Sequence, residues 1–482
     1  MKITKVFISF HRVLGTLLSI LFVMWFLSGM VMMYHTYPSI DRQQELANSE
    51  AIGEGSMPDI GAVSVLHDGR VADITLERKA GLNIMRIATD SGELVMDADN
   101  GKSISRLDGS RLHDVASAWS TTQPVLKDTL NGIDVWLIGA MPFNEYPIYH
   151  YTFDDGKGTE LYLSSRTGRA LQLTDSESRM WAWLGAIPHW IYITKLRATG
   201  RQPWTDTVLW LSGIGIVMTL TGIVVGIRST VMARRRKKIT PYAKSLFRWH
   251  HVFGLCFGLF VLTWIFSGFM SLADAPQAIW RTHTQRSAKD ICSNSISLDK
   301  FTLDYKKIVA GGDIKRLSFT EIGGIPFYHV WTADDEYLVA ADDTTARKTT
   351  LTADDCRKIV SHTHSGKEEI SVELMNTYDN YYVSQKRPLP LPVYKVSVSD
   401  ADRSTYYINP TNGNASYYNT NKRAGKWMYT GLHALNTPYF AEHQHLRRAI
   451  LWVLLVGGTI VSATGLVMGA KYLNRLRRRM MR

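Results

Sequence analysis

The chain alternates between long apolar runs and long mixed polar segments. Four windows of at least 21 residues contain no charged side chain. Because about 20 apolar residues in a helix cross a bilayer core of about 30 Å, each window predicts a transmembrane helix. The windows are residues 13–33, 207–227, 252–273 and 449–470.

The predicted helices divide the chain into segments. The two long segments between them carry turn signals and short β-type runs, which predict α+β domains. In order, the segments are a first helix with its N-terminal tail (1–34), a first outer domain (35–206), a second helix (207–228), a basic loop (229–249), a third helix (250–273), a second outer domain (274–446), a fourth helix (447–470) and a basic tail (471–482).

The net charge of +12 is unevenly distributed along the chain. Residues 1–12, 228–250 and 471–482 contain 17 Lys and Arg and no Asp or Glu, so the remainder carries a net charge of −5. An excess of Lys and Arg beside transmembrane helices marks the cytoplasmic side. The pattern predicts a bacterial inner-membrane protein with both termini in the cytoplasm and two periplasmic domains. It argues against nucleic acid as a partner.

The three cysteines leave the question of a disulfide open. Cys256 lies in the third apolar window, whereas Cys292 and Cys356 lie in the second outer segment. An oxidising compartment would allow that second pair to form a disulfide, although one sequence does not establish it. No C-x-x-C-H motif occurs, which excludes covalent attachment of a c-type haem.

One apolar stretch occurs twice, as HRVLGTLLSILFVMWFLSG at 11–29 and as HHVFGLCFGLFVLTWIFSG at 250–268. In each copy a His is followed by Gly four residues later, by Trp ten residues after that, and by Gly four residues further on. At about 100° per residue these positions lie on one stripe of a helix. The matched pairs are His11 with His250, Gly15 with Gly254, Trp25 with Trp264 and Gly29 with Gly268.

The outer segments also match each other. Two predicted hairpins, each closing at a glycine, recur at an offset of 245 residues, and each is followed by a Trp with a His six residues later. The protein is therefore predicted to be a tandem duplication of one unit, forming a four-helix membrane bundle with a pseudo-two-fold axis along the membrane normal. The matched residues are Tyr149 with Tyr394, Tyr162 with Tyr407, Gly168 with Gly413, Trp183 with Trp427 and His189 with His433.

The duplication predicts two pairs of facing histidines. His11 and His250 would meet near the cytoplasmic face, and His189 and His433 near the outer face. Neutral imidazole is the usual axial ligand of haem iron, and a site with two histidines suits electron transfer. We expect two haems whose iron these four residues hold. Beside the inner pair, the missing side chains of the paired glycines would let a flat group approach the backbone.

Several alternatives stay open at this point. An interfacial His can simply contact lipid headgroups, and the matched pairing counts against this reading. His35 and His251 are alternative ligands without a matched partner, and His443 and His445 are interpreted as an interfacial pair. For Trp25 and Trp264, core packing is favoured over packing against haem. The aromatic stretches 190–197 and 376–382 line either a pocket for an iron chelate or the hairpin cores.

These residues carry a resemblance to a known family. The repeated His-x-x-x-Gly and Trp-x-x-x-Gly helix, the Tyr-containing hairpin and the later Trp and His resemble the PepSY-associated transmembrane family, which includes inner-membrane siderophore reductases of the FoxB type. The resemblance covers nearly the whole chain. It implies a four-helix bundle, PepSY-like periplasmic domains, haem b, and delivery of electrons to a ferric chelate.

The first functional hypothesis is a membrane oxidoreductase that reduces a periplasmic ferric siderophore and releases iron as Fe(II). No catalytic residue is assigned, and neither the siderophore nor the electron donor is specified. Because the cytoplasmic segments are short, the donor would be a separate reductase or a quinol. The alternatives are a haem conduit to another periplasmic acceptor or partner, and a membrane-anchored PepSY binding or inhibitory module without redox activity.

Overall fold

The apolar windows form the longest helices of the protein. The computed structural model describes residues 2–55, 57–59, 70–90, 92–139, 144–238, 240–364 and 368–481. The helices are α1 (Lys2–Met32), α2 (Arg42–Ala47), α3 (Gly109–Ser117), α4 (Ser176–Leu184), α5 (Ala186–Trp190), α6 (Thr194–Arg197), α7 (Gln202–Arg235), α8 (Ser245–Met270), α9 (Lys306–Val309), α10 (Ala353–Thr363), α11 (Thr420–Lys426), α12 (Leu432–Ala434), α13 (Pro438–Glu442) and α14 (Gln444–Met480). Short 3-10 turns span Ala288–Ile291 and Leu298–Lys300, and a π-helical turn spans Trp427–Gly431.

The strands all belong to the outer segments. They are β1 (Val71–Lys79), β2 (Leu82–Thr89), β3 (Gly92–Asp97), β4 (Pro124–Leu130), β5 (Ile148–Phe153), β6 (Glu160–Ser164), β7 (Ala170–Thr174), β8 (Arg316–Ile322), β9 (Ile325–Trp331), β10 (Glu336–Ala340), β11 (Lys348–Thr349), β12 (Ile370–Met375), β13 (Val393–Val398), β14 (Thr405–Ile408) and β15 (Ala415–Tyr418).

Within the described part of the chain, four helices are long and apolar enough to cross a membrane: α1, α7, α8 and α14. The prediction of four such helices is confirmed. Their inward faces pack into one apolar core, because side chains three and four positions apart share a face of a helix. This core consists of Leu18, Phe22, Phe26, Met218, Val261, Trp264, Ile265, Leu451 and Leu455.

The outward faces of these helices are apolar as well. Trp210 is 74% exposed, Leu259 69% and Leu17 66%. A surface helix in water normally turns a polar face outward, whereas a helix that is apolar all round suits a lipid environment. The outward faces therefore support the reading of the four helices as membrane spans.

Glycines let α1 approach α14 closely. A Cβ atom at Gly458 would lie 2.5 Å from Phe26 Cε1, and one at Gly469 would lie 3.1 Å from the Cα atom of Thr16. A larger residue at either position would push the two helices apart, since small residues allow helices to pack closely in a membrane.

The two outer segments share one antiparallel sheet. Its strand order is β11-β10-β9-β8-β1-β2-β3, so strands of the first segment join strands of the second. The junction pairs β1 with β8, with Ile74 opposite Phe319 and Leu76 opposite Leu317. All four of these side chains are buried. The α+β character predicted for each segment is present, and in addition the junction ties the two segments together.

Each outer segment also contains a four-stranded sheet, ordered β4-β5-β6-β7 and β12-β13-β14-β15. The predicted hairpins are the central pairs of these sheets, and they have the same register. Tyr149 pairs with Leu163, and Tyr394 pairs with Ile408. Gly168 and Gly413 lie in the turns that follow these hairpins, between β6 and β7 and between β14 and β15. Their φ angles of 67° and 71° lie in the left-handed region that favours glycine.

The cysteines are free in the structure. Cys356 is buried in the core between α10 and the second four-stranded sheet, and Cys292 packs against the same core. Cys256 lies on α8 with its side chain exposed. The disulfide that the sequence left open is thus not formed here.

Candidate functional site: two pairs of histidines

His11 of α1 and His250 of α8 meet at one end of the bundle. The centres of their imidazole rings lie 6.1 Å apart, and the ring planes are tilted by 40°. The structure therefore brings together the inner pair that was predicted from matched positions in the two halves.

His189 and His433 meet at the opposite end. Their ring centres also lie 6.1 Å apart, with the ring planes at 75°. Neither residue belongs to a long helix: His189 lies in α5 and His433 in α12, directly ahead of the segments that lead into α7 and α14.

The short helices that carry the outer histidines end in the same unusual way. Ile191 and Leu435, each two residues after the His, have φ angles of 53° and 52°. This left-handed conformation is uncommon for residues other than glycine, and especially for a β-branched one. The backbone thus turns sharply just after each histidine, and such local strain is often found at functional sites.

The backbone carbonyl of the residue after each outer histidine accepts a hydrogen bond from a side chain of the next long helix. The indole N–H of Trp204 donates to the carbonyl of Trp190 over 2.7 Å, and Arg447 Nη1 donates to the carbonyl of Ala434 over 3.1 Å. These contacts fix the short helices against α7 and α14. The sequence analysis missed both donors, since nothing in their local pattern indicates a role.

Each outer ring is oriented by a serine. Ser28 and Ser267 each donate their single hydroxyl hydrogen to the backbone carbonyl three residues earlier, over 3.2 and 2.9 Å. With that hydrogen on the carbonyl, each hydroxyl oxygen accepts from Nδ1–H of the neighbouring histidine, over 3.0 Å for His189 and 2.9 Å for His433. The lone pair of both imidazoles is then on Nε2.

The inner rings are oriented by backbone carbonyls. His11 Nδ1–H donates to the carbonyl of Met218 over 3.0 Å, and His250 Nδ1–H donates to the carbonyl of Val461 over 3.1 Å. Thr464 Oγ1 lies 3.0 Å from the same nitrogen of His250. Because a carbonyl oxygen only accepts, Nδ1 carries the hydrogen in both rings and Nε2 carries the lone pair.

All four imidazoles thus have the same state, with Nδ1 engaged and Nε2 available. In metal-binding histidines the second ring nitrogen is normally held by a carbonyl, a hydroxyl or a carboxylate, which fixes the tautomer. Sequence reasoning missed the orienting groups. A signal for two of them was present, because a serine precedes the last glycine of the stripe in both copies.

Burial also keeps the outer pair uncharged. Desolvation, and for His189 also the proximity of His433, lowers the pKa of His189 to about 3, and desolvation lowers that of His433 to about 4. Neutral imidazole is the form that binds metals.

A cavity of about 410 Å³ lies beside the inner pair. It is lined by both histidines and by glycines from all four long helices, including Gly15 and Gly254. A Cβ atom at Gly254 would meet nothing within 4 Å, and one at Gly15 would meet only the sulfur of Met218, at 3.9 Å. The two glycines predicted beside a cofactor therefore face open space, which would accept a flat group.

Gly222 of α7 has a different role. A Cβ atom there would lie 2.6 Å from Cε1 of His11, which is closer than real Cβ contacts. The ring of His11 therefore packs directly on the backbone of α7, and only glycine leaves room for it. The symmetry-related contact is looser, because a Cβ atom at Gly465 would lie 3.5 Å from His250.

The two tryptophans of the stripe lie near the outer pair. Trp25 donates its indole N–H to the carbonyl of His189 over 2.9 Å. Trp264 is buried in the bundle core, where its ring lies 5.8 Å from that of His433 and 5.7 Å from that of Phe26. Both tryptophans thus pack beside the outer site, and neither lines the inner cavity.

The other histidines considered as ligands lie away from the two pairs or are bound to other groups. His35 stacks on Trp181 with ring centres 4.1 Å apart. His251 lines the inner cavity, yet its Nε2 is hydrogen-bonded to the hydroxyl of Thr230 over 3.0 Å. His443 binds the carbonyl of Tyr439 from its exposed position. None of these rings joins either pair.

The aromatic stretches at 190–197 and 376–382 pack into hairpin cores. Trp190 and Tyr192 pack against the core around Trp136 and Tyr162. Tyr382 belongs to the core around Tyr407, and its neighbours Tyr378 and Tyr381 pack against it. These residues therefore agree with the hairpin-core alternative. Their packing gives no support to a pocket for an iron chelate.

The spacing of each pair suits a metal ion bound between the rings. A metal–imidazole bond is about 2.0–2.1 Å and the ring centre lies about 1.1 Å beyond the nitrogen, so facing rings would have centres about 6 Å apart. Among the described residues, no group of three or more His, Cys, Asp or Glu side chains comes together. A metal held by either pair would therefore bring its remaining ligands with it, as iron does in a porphyrin.

The comparisons with known proteins assign one part of the chain. Residues 350–415 match the PepSY family, described as peptidase propeptide and YPEB domain. This stretch contains α10 and the strands β12 to β14, and it ends at the first residue of β15. PepSY domains are often extracellular or periplasmic. No curated protein matches the chain.

Proposed function

We propose that the protein is an inner-membrane oxidoreductase that binds two haem b groups and reduces a ferric siderophore in the periplasm. The observation that carries the proposal is the common state of the four paired imidazoles. Each has Nδ1 held by the protein and Nε2 free, and both pairs have ring centres 6.1 Å apart.

The proposed topology follows from charge and from the matched halves. The basic ends of the long helices lie in the cytoplasm, as the positive-inside rule requires, and the sheets lie in the periplasm. The two halves are copies of one unit. The identical hairpin registers and the matched left-handed residues after the outer histidines support this duplication.

His11 and His250 would hold the inner haem, and His189 and His433 the outer one. When bound, haem iron with two imidazole ligands supplies one-electron transfer without an open coordination position. The protein holds each imidazole in the tautomer that presents Nε2. The packed side chains of Phe26 and Trp264 keep water out of the bundle core beside the outer pair.

The substrate proposed is iron held by oxygen donors. Such chelates bind Fe(III) far better than Fe(II), because hard oxygen ligands favour the more highly charged ion. Transfer of one electron to the chelate converts Fe(III) to Fe(II) and weakens its binding. The electron comes from a quinol or from a separate reductase on the cytoplasmic side.

The test is a redox titration of the purified protein in lipid nanodiscs. A reduced-minus-oxidised spectrum with the α-band of haem b, at two haems per chain, is expected. Anaerobic addition of ferric hydroxamate or catecholate siderophores to the reduced protein should restore the oxidised spectrum. A colourless protein from haem-replete cells would refute the haem proposal. Failure of every chelate to reoxidise the haem would instead favour a conduit to another acceptor.

A second candidate rests on the PepSY match itself. The second outer segment would then act as a binding or inhibitory module, and the four helices would only anchor it. The same spectrum separates the two proposals, since an anchored binding module predicts no haem.

A further inference from the structure

Two arginines line one side of the cytoplasmic rim of the inner cavity. Arg12 of α1 and Arg475 of α14 both line the cavity, and both are exposed. The guanidinium of Arg12 lies 4.7 Å above the ring of Tyr472, another lining residue. Stacking of this kind holds an Arg in place while leaving its N–H groups free to bind.

Among the described residues that line the cavity, the other side of the rim has no Arg or Lys. The position matched to Arg12 in the second copy is His251, which is bound to Thr230. The loop ahead of α8 contributes Tyr242, which is not a cationic residue. The cavity therefore has two unlike edges, although the bundle around it is nearly symmetric.

Neither arginine has an acidic partner within the described ranges. Arg12 and Arg475 form no ion pair there, and the Nε–H of Arg475 donates to the backbone carbonyl of Lys471 over 3.3 Å. The sequence explains this, because residues 1–12, 228–250 and 471–482 contain no Asp or Glu. The negative charge that balances them must come from outside the chain.

We propose that Arg12 and Arg475 bind the carboxylates of the group held between His11 and His250. A haem would then enter in one orientation, with its two propionates toward α1 and α14. This inference rests on the proposed haem function. Its chemistry is that of a planar dicarboxylate, since the planar fork of a guanidinium matches a carboxylate through two hydrogen bonds.

The test compares haem with its dimethyl ester, in which both carboxylates are blocked. Apoprotein in nanodiscs of neutral lipid is reconstituted with each, and the rate of loss from the inner site to apomyoglobin is followed by absorbance. The wild type should lose the ester about tenfold faster than haem, as expected when a contact of about 1.4 kcal/mol is removed. The R12Q/R475Q variant should lose both at the same, faster rate.

Two controls make the result decisive. R478Q/R479Q removes the same charge from the tail at positions that do not line the cavity, and it should behave as the wild type. R12K/R475K keeps the charge and should keep a preference for haem over the ester. If R12Q/R475Q discriminates as the wild type does, the carboxylate assignment is wrong while the haem proposal stands.

A lipid headgroup is the other anion that these arginines can bind. In that case R12Q/R475Q would lose haem faster only in nanodiscs of anionic lipid, and it would still distinguish haem from ester. That outcome also overturns the assignment. A wild type that binds no haem in any lipid would refute the proposed function itself.

Discussion

The hydroxyl of Ser28 accepts a hydrogen bond from Nδ1–H of His189 over 3.0 Å, which leaves the free lone pair of that ring on Nε2. Ser267 does the same for the partner ring over 2.9 Å. One serine hydroxyl on α1 and one on α8 thus set the tautomers of two histidines that lie on separate, short helices.

On the proposed function, removal of this hydroxyl should weaken the outer haem site, and the predictions for the histidine, Gly222 and Trp264 variants rest on the same proposal. In S28A and in S267A the ring would lose the acceptor that fixes Nδ1–H, and such changes typically cost 10- to 100-fold in metal affinity. The measurement is the rate of haem loss together with the low-spin EPR signal of the outer haem. The control is S212A, which alters a buried serine on a different long helix, α7. It should change neither the rate of haem loss nor the EPR signal. Equal effects of all three variants would contradict the orienting role.

Variants of the four histidines should fall into two groups. H11A and H250A are each expected to abolish the same haem, and H189A and H433A the other, because each haem needs both of its axial ligands. Haem stoichiometry and the split of the α-band on reduction would report which haem is missing. If H11A and H250A removed different haems, the proposed pairing would be wrong.

A methyl group at Gly222 should displace His11. Its Cβ atom would lie 2.6 Å from Cε1 of that ring, so G222A should lose the inner haem while the outer haem remains. G213A on the same helix is the matched control, since its nearest contact would be at 3.9 Å. Alanine favours a helix over glycine by about 1 kcal/mol, so the control should not lose thermal stability. Retention of both haems by G222A would argue against the close contact with His11.

Trp264 should matter for stability more than for electron transfer. Its ring is buried against Phe26 and Phe260, so W264L would leave a cavity and cost on the order of 1–3 kcal/mol. W210L, at an outward position 74% exposed, should cost little. Two measurements separate a packing role from a role in electron transfer. They are denaturant-induced unfolding in nanodiscs and the rate of electron transfer between the haems. A slowed transfer with unchanged stability would refute a packing role.

The junction of the two outer segments should weaken in acid. Glu77 on β1 is opposite Arg316 on β8, at 3.1 Å, and both are largely buried. Burial alone would raise the pKa of Glu77, but the charges of Lys79 and Arg316 lower it to about 2. Its stabilising contribution is therefore complete above pH 4.5, the ordinary value, and is lost as the pH falls toward 2. Hydrogen exchange of the β1 and β8 amides against pH measures this.

A mutational comparison checks the same junction. E77A should cost about 1.5–3 kcal/mol, because it removes one charged hydrogen-bond partner of the largely buried Arg316. Arg316 keeps its second carboxylate partner, Glu45, at 3.2 Å. R42Q breaks another ion pair between the two segments, with Glu336 at 3.2 Å, but Arg42 is half exposed, so the cost should be below about 1 kcal/mol. Similar losses in the two variants would mean that Glu77 contributes no more than a surface charge.

The sequence anticipated the parts of the site that repeat. His11 and His250 were paired from matched positions on one helical stripe, and His189 and His433 from matched distances after a tryptophan. Gly15 and Gly254 were placed beside open space for the same reason. The groups that orient the rings were not found, because the carbonyls of Met218 and Val461 lie on other helices and leave no mark in the sequence.

By itself, the sequence determined the four apolar helices, the basic side of the bundle and the two hairpins, because each depends on local composition or on a short repeat. Only the tertiary structure decided that β1 and β8 join the outer segments in one sheet, and that the ring centres of each histidine pair lie 6.1 Å apart. Both depend on contacts between residues far apart in the chain. The physical reason is that a hydrogen-bond partner or a strand neighbour is chosen by packing in three dimensions, to which distant residues contribute without any shared pattern.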